Sequence, residues 1–170
     1  MDPLIETERT LLRLPSEADA PFILELLNEP LLVHHTGDRG IRTLEAATAY
    51  ITDKLLAQHE ALGFTLWVVE RKTDHTPIGI NGLVQRAYLD APDIGFGFLE
   101  RHCGQGYGTE TAQAVMSYSR QQLGLYLIYG ITSSGNHASI RLLRKLGMHH
   151  TRVQKLPGIE RLQRIYQYGS

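Results

Sequence analysis

Three glycines in five positions, Gly104, Gly106 and Gly108, follow an apolar stretch that begins at Asp93 and lead straight into a helical pattern. A strand feeding a glycine-rich turn at a helix start is a recurrent way to hold a phosphate. The first-turn N–H groups lack intrahelical partners, and the helix dipole places partial positive charge among them. Two carboxylates flank the turn: Asp93 leads the strand and Glu110 sits in the first helical turn. Further on, Asn136 and Ser139 stand three residues apart at the head of a short amphipathic segment, so an amide and a hydroxyl share one helical face. The glycine turn offers an anion cradle, and the amide, the hydroxyl and the two carboxylates are the polar groups that accompany it.

The spacing discriminates among phosphate motifs. A P-loop needs Gly-x4-Gly-Lys-Ser/Thr, and no Lys follows these glycines. A dinucleotide fold needs Gly-x-Gly-x-x-Gly in an early βαβ unit, whereas the spacing here is Gly-x-Gly-x-Gly after a run of hairpins.

The elements that must position these residues read as follows. Residues 8 to 13 alternate Leu with polar residues and suggest a strand, and Ser16 caps a helix that runs to Pro30. Val33 to Arg42, with two glycines and no clean period, reads as a loop. Thr43 caps a second helix, Leu44 to about Leu62, stopped by Gly63. Phe64 to Arg71 and Ile78 to Gln85 form a hairpin, and a turn at Tyr88 to Pro92 leads into the Asp93 strand. Beyond the glycines, Thr109 to Leu123 is a helix, Tyr126 to Thr132 a strand, and Asn136 caps a helix closed by Gly147. Two strands near His149 to Leu156 and Arg161 to Tyr168 complete a mixed α/β chain expected to form a single domain over residues 1–170.

Composition narrows the partners. With 42% hydrophobic and 21% charged residues the chain is an ordinary globular one, and its net charge of −1 argues against nucleic acid as a partner. No apolar run approaches a membrane span, and the acidic start MDPLIETE does not resemble a signal peptide, so a cytoplasmic location without membrane association is expected. Cys103 is the only cysteine and the histidines are scattered, so neither a disulfide nor a metal site is expected.

Cys103 to Glu110, with Gly106 and Gly108 at the fourth and sixth positions counted from Cys103, resembles the acetyl-CoA motif of the GNAT acetyltransferases, Arg/Gln-x-x-Gly-x-Gly/Ala. Asn136-His-Ala-Ser139 with Lys145-Leu-Gly147-Met148 is similar to the Asn-x-x-Ser and Lys-Leu-Gly-Phe signature of that family's ribosomal-protein alanine/serine N-acetyltransferase branch. Glu8 to Leu14 and the Asp93-Ile-Gly-Phe strand look like the same branch. The resemblance implies the GNAT fold: a mixed, mostly antiparallel sheet of six to seven strands, helices on both faces, and a splay between the fourth and fifth strands. It also implies acetyl-CoA as co-substrate, without a metal, and direct transfer to a primary amine. Phe98 and Leu99 would then offer backbone groups to the pantetheine arm, and Cys103, Gly104, Gln105, Gly106, Tyr107, Gly108 and Thr109 would cradle the pyrophosphate.

The same resemblance raises the question of the thiolate's proton. Where many family members carry a Tyr, this chain has Leu143, which cannot donate, and Ser139 is the substitute. Asn136 would bind pantetheine or orient Ser139, which is either the general acid or a cofactor ligand. For the base, Asp93, Glu110 or a water chain are open, with Glu110 also able to brace the loop. At pH 7 roughly 14% of α-amines but only about 0.04% of lysines are neutral, which favours a protein N-terminus or another weakly basic amine as acceptor. A small amine such as an antibiotic or polyamine, or an acyl-CoA-sensing role without catalysis, is the alternative. Asp38, Arg39, Trp67 and Asn81 are the residues expected near the acceptor, and a monomer or homodimer is compatible with the sequence. Cys103 lies in the phosphate loop, away from the thioester, and is not expected to act as a nucleophile.

Overall fold

In a computed structural model, which describes residues 3–169, the glycine turn lies at the end of a central strand of one eight-stranded sheet. The strands are β1 (Ile5–Glu6), β2 (Thr10–Arg13), β3 (Leu66–Arg71), β4 (Pro77–Val84), β5 (Asp93–Phe98), β6 (Ile128–Ser133), β7 (His149–Gln154) and β8 (Gln163–Tyr168). Their order is β1-β2-β3-β4-β5-β6-β8-β7. The helices are α1 (Ala20–Leu27), α2 (Pro30–Thr36), α3 (Leu44–Tyr50), α4 (Ala57–Leu62), α5 (Tyr107–Gln121) and α6 (His137–Lys145).

Every strand pair is antiparallel except β5 with β6. That parallel pair meets over two positions only, Asp93 opposite Tyr129 and Ile94 opposite Gly130, after which the strands part. The splay therefore separates the two segments the resemblance implied. It falls after the fifth strand rather than the fourth because the two-residue β1, too short to register as a period, adds an eighth strand at the edge.

Alternation along β3 builds a core on each face. Trp67 and Val69 join Ala112, Val115 and Met116 of α5 and Ile140 and Leu143 of α6. Leu66 joins Ile23, Leu26 and Leu27 of α1, Ala47 of α3, and Ile51 and Leu55 beyond it. Each fully buried Leu or Ile stabilises the fold by roughly 1.5–3 kcal/mol.

Two local expectations change. The stretch expected as a loop from Val33 begins inside α2, which Pro30 starts at its first turn and Gly37, at φ 94°, ends. The helix expected over Leu44 to Leu62 is continuous but runs as a π-helix from Ile51 to Leu56 between α3 and α4. No helix among the described residues is long and apolar enough to cross a membrane.

Candidate active site

The glycine turn owes its shape to Gly104 and Gly106, at φ 73° and 85°, where a side chain would be strained. Gly106 is also the N-cap of α5 and has no side chain with which to cap it. The first amide bonded within the helix is Glu110 N–H, to Gly106 O at 3.1 Å. The N–H groups of Tyr107, Gly108 and Thr109 therefore stand at the positive end of a fifteen-residue helix without intrahelical acceptors.

Glu110 is turned toward the β1–β2 segment. Its Oε1 takes Arg9 Nε at 2.7 Å, and its Oε2 takes the Thr7 hydroxyl at 2.6 Å and Arg9 N–H at 3.0 Å. Burial pushes its carboxyl up, but these donors outweigh it and hold it below the usual range. Arg9 then donates to Gln105 O at 3.0 Å and lies 4.2 Å over the Tyr107 ring. Glu110 is thus the brace between the β1–β2 turn and the glycine turn.

Asp93 is in a different position. It is 2% exposed, and its only charged partner among the described residues is Arg86, whose Nε donates at 3.0 Å. Burial raises its pKa to about 6, with Arg86 opposing. A carboxyl that is ionised at neutral pH yet basic enough to accept a proton is what a general base requires.

The strand that Asp93 begins supplies the backbone donors. Leu99 N–H is bonded to Ile78 O at 3.0 Å and its carbonyl accepts from His102 N–H at 2.8 Å, so its backbone is committed, while its side chain is buried in the α1 core. By strand alternation the groups of Phe96 and Phe98 point away from β4, toward the splay. Across the gap, Asn136 caps α6, its Oδ1 accepting Ser139 N–H at 3.2 Å. Leu143 is packed over Gly130 in the core, where it presents nothing to the splay.

A cavity of about 250 Å³ gathers these groups. Asp93, Phe98, Cys103, Asn136 and Ser139 line it, together with Arg86, Phe96, His35 and Thr132, which the sequence did not single out. The His35 ring, whose pKa is lowered by burial and then by His34 and Arg161, reaches from α2 to the Ser133 hydroxyl of β6 at 3.5 Å. The Thr132 hydroxyl is buried without a hydrogen-bond partner among the described residues. Cys103 is exposed at the surface; partial desolvation of its thiol, then Glu100 and Glu29, push it up, and it makes only long contacts, 3.6 Å to Leu99 O and 3.8 Å to Phe98 O.

The residues expected near the acceptor scatter. Trp67 is fully buried against Tyr118, and Asn81, also fully buried, donates to Thr111 Oγ1 at 2.8 Å, so both belong to the α5 core. Asp38 is outside the cavity and pairs with Arg42, while Arg39 lines its mouth.

A family model described as an acetyltransferase (GNAT) domain matches residues 9–149. The chain belongs to the GNAT acetyltransferase family. As an N-acetyltransferase it is 28% identical, over 171 residues, to the uncharacterized N-acetyltransferase YoaA of Bacillus subtilis, a match covering 100% of this chain and 92% of YoaA. The ribosomal-protein alpha-N-acetyltransferase RimL, solved in complex with coenzyme A, shares the fold at a TM-score of 0.84 and 16% identity, covering 99% of this chain and 98% of that one. The self immunity acetyltransferase MccE, solved with acetyl-CoA and AMP, does so at 0.81 and 13%, with 96% and 93% covered. In this GNAT acetyltransferase the Asp93 cavity runs along β5 as far as Cys103, while Gly104, Gln105, Gly106, Tyr107, Gly108 and Thr109 are not among its lining residues.

Proposed function

We propose that this N-acetyltransferase uses acetyl-CoA as co-substrate and transfers acetyl directly to a primary amine, in particular a protein N-terminal α-amine. The observation that carries the reading is the buried Asp93 carboxyl, poised near pH 6 in a cavity that also holds Ser139.

The residues present suit the co-substrate. The uncapped N–H groups of Tyr107, Gly108 and Thr109, with the Gly104–Gly106 turn beside them, fit a pyrophosphate, and the parted backbones of β5 and β6 fit an extended arm. The partnerless Thr132 hydroxyl lies along the same gap. When bound, acetyl-CoA supplies the acetyl group as an activated thioester. Phe96 and Phe98 direct backbone N–H donors to where carbonyl charge would develop. Asp93 takes the proton of the attacking amine, directly or through a water, and Arg86 keeps the carboxylate oriented. Ser139 Oγ, one helical turn from the Asn136 cap, holds the proton that a departing thiolate needs. The high-lying Cys103 thiol is a poor nucleophile, which supports direct transfer over a covalent enzyme intermediate.

The acceptor follows from Asp93 being a moderate base. An α-amine is neutral far more often than a lysine at pH 7, so less deprotonation is required of the enzyme. The test is thiol release from acetyl-CoA against a panel of N-terminal peptides, lysine peptides and small amines, with products identified by mass spectrometry. Acetylation confined to α-amines supports the reading. Acetylation of small amines alone would replace it, and coenzyme binding without turnover of any amine would make the chain an acyl-CoA sensor.

A further inference from the structure

Beside the Asp93 cavity lies a second and larger one, of about 710 Å³, which the reaction as described does not use. It is bounded by the α3 helix and the π-helical turn on one side and by the ends of β3 and β4 on the other. Tyr50, Leu55 and Ile41 give it an apolar wall. Arg39, Leu66, Val84 and Arg86 line both cavities, so they form the boundary the two share.

Charge divides unequally between the two. Besides the Asp93–Arg86 pair and Arg39, the inner cavity carries two carboxylates, Glu29 and Glu100, which suits an incoming cationic amine. The outer cavity carries Lys54 with the two shared arginines against a single carboxylate, Asp53. Arg86 is already neutralised by Asp93 at 3.0 Å. Arg39 has no carboxylate partner among the described residues.

The loop that presents Arg39 is stapled. Asp38 pairs with Arg42 and accepts Gly40 N–H at 2.8 Å. Asn28, at the end of α1, accepts from Arg42 at 2.7 Å and donates to Ile41 O at 2.8 Å. An unpaired guanidinium is thereby held at the junction of an acidic cavity and a basic one. The π-helical turn, a rare conformation frequent at functional sites, brings Asp53, Lys54 and Leu55 to the outer wall.

We infer that the outer cavity receives the peptide that follows the reacting α-amine and selects one with an acidic side chain in its first few residues, bound by Arg39 with Lys54 behind it. The inference rests on the proposed α-amine acceptor. The size fits: cavities of about 300–1,000 Å³ hold drug-sized ligands, so about 710 Å³ is more than a lone small amine fills. The apolar wall accommodates the side chain beside the acidic one.

The test compares three hexapeptides that share a first residue and carry Glu, Gln or Lys at the positions after it. The wild-type enzyme should show kcat/KM about tenfold higher for the Glu peptide than for the Lys peptide, the difference shrinking as salt rises from about 0.05 to about 0.5 M. In the double variant Arg39→Glu, Lys54→Glu the order should reverse. A gain on the Lys peptide cannot come from a misfolded enzyme, so the reversal is informative even if the variant is less stable. Equal turnover of all three peptides by wild type overturns the inference and leaves the α-amine reading standing. Turnover of small amines with no turnover of any peptide overturns both.

Discussion

Glu110 holds Arg9 through two of its contacts, at Nε and at the backbone N–H, and so ties the β1–β2 turn to the glycine turn across a hundred residues of sequence. Arg9 in turn grips the Gln105 carbonyl and covers Tyr107. Because Arg9 is partly exposed, the ion pair itself is worth only about 1 kcal/mol. Its larger effect is on the shape of the turn. Glu110→Gln is expected to raise KM for acetyl-CoA several-fold with little change in kcat, while lowering Tm by a few degrees. Arg9→Lys should weaken acetyl-CoA binding similarly, since an ammonium cannot span carboxylate, carbonyl and ring at once. A fall in kcat without a change in KM would instead make Glu110 part of the chemistry.

Asp93 predicts opposite pH responses for activity and stability. Its pKa rises from 3.8 to about 6 on folding because burial disfavours the carboxylate more than Arg86 favours it. A raised folded-state pKa means that the folded chain binds the proton more tightly. Its contribution to stability is therefore complete below about pH 4 and lost as pH rises through about 6, a change of roughly 3 kcal/mol. If Asp93 is the proposed base, activity follows its ionised form and should climb as pH rises through about 6. Asp93→Asn should keep the fold, flatten the stability change between pH 4 and 6, and reduce kcat by about 10²-fold or more. Denaturant unfolding and kcat/KM measured across pH check both arms, and an unchanged pH–rate profile in Asp93→Asn would remove Asp93 as the base.

What the sequence made legible was what local chemistry dictates. Gly104, Gly106, Asn136 and Asp93 were identifiable because φ > 0, a helix cap and a strand start each leave a residue-type signature. Arg86 and Thr132 were not, since what marks them is a partner or a gap contributed by another element. The displacement of Trp67 and Asn81 into the core has the same origin: their side of the strand depends on register, which places Asn81 opposite Trp67 and under Thr111. Leu99 shows the limit of a one-residue resolution. It neighbours Phe98, yet its amide faces β4 rather than the splay.

Leu143 gives a prediction about the missing tyrosine. It is 1% exposed, and its methyls already lie within 3.1 Å of where a Cβ on Gly130 would be. A Tyr there must displace its neighbours, so Leu143→Tyr is expected to destabilise by about 1–3 kcal/mol without raising kcat. A rate increase in that variant would show that the family's tyrosine position can still reach the splay.

Ser139 and Asn136 should separate by which parameter falls. Asn136 holds the end of α6 by accepting Ser139 N–H, so Asn136→Ala is expected to cost about 1 kcal/mol of stability and to weaken acetyl-CoA binding, because the helix start shifts with its cap. Ser139→Ala leaves that backbone bond in place and removes only the hydroxyl. If the hydroxyl protonates the leaving thiolate, kcat should drop about 10²-fold while the Kd for acetyl-CoA from calorimetry changes less than about twofold. The deficit should also shrink for an acyl donor whose thiol is more acidic, since such a leaving group needs no proton. An equal loss of kcat and affinity, independent of the leaving group, would make Ser139 a ligand of the co-substrate and leave the thiolate to be protonated by water.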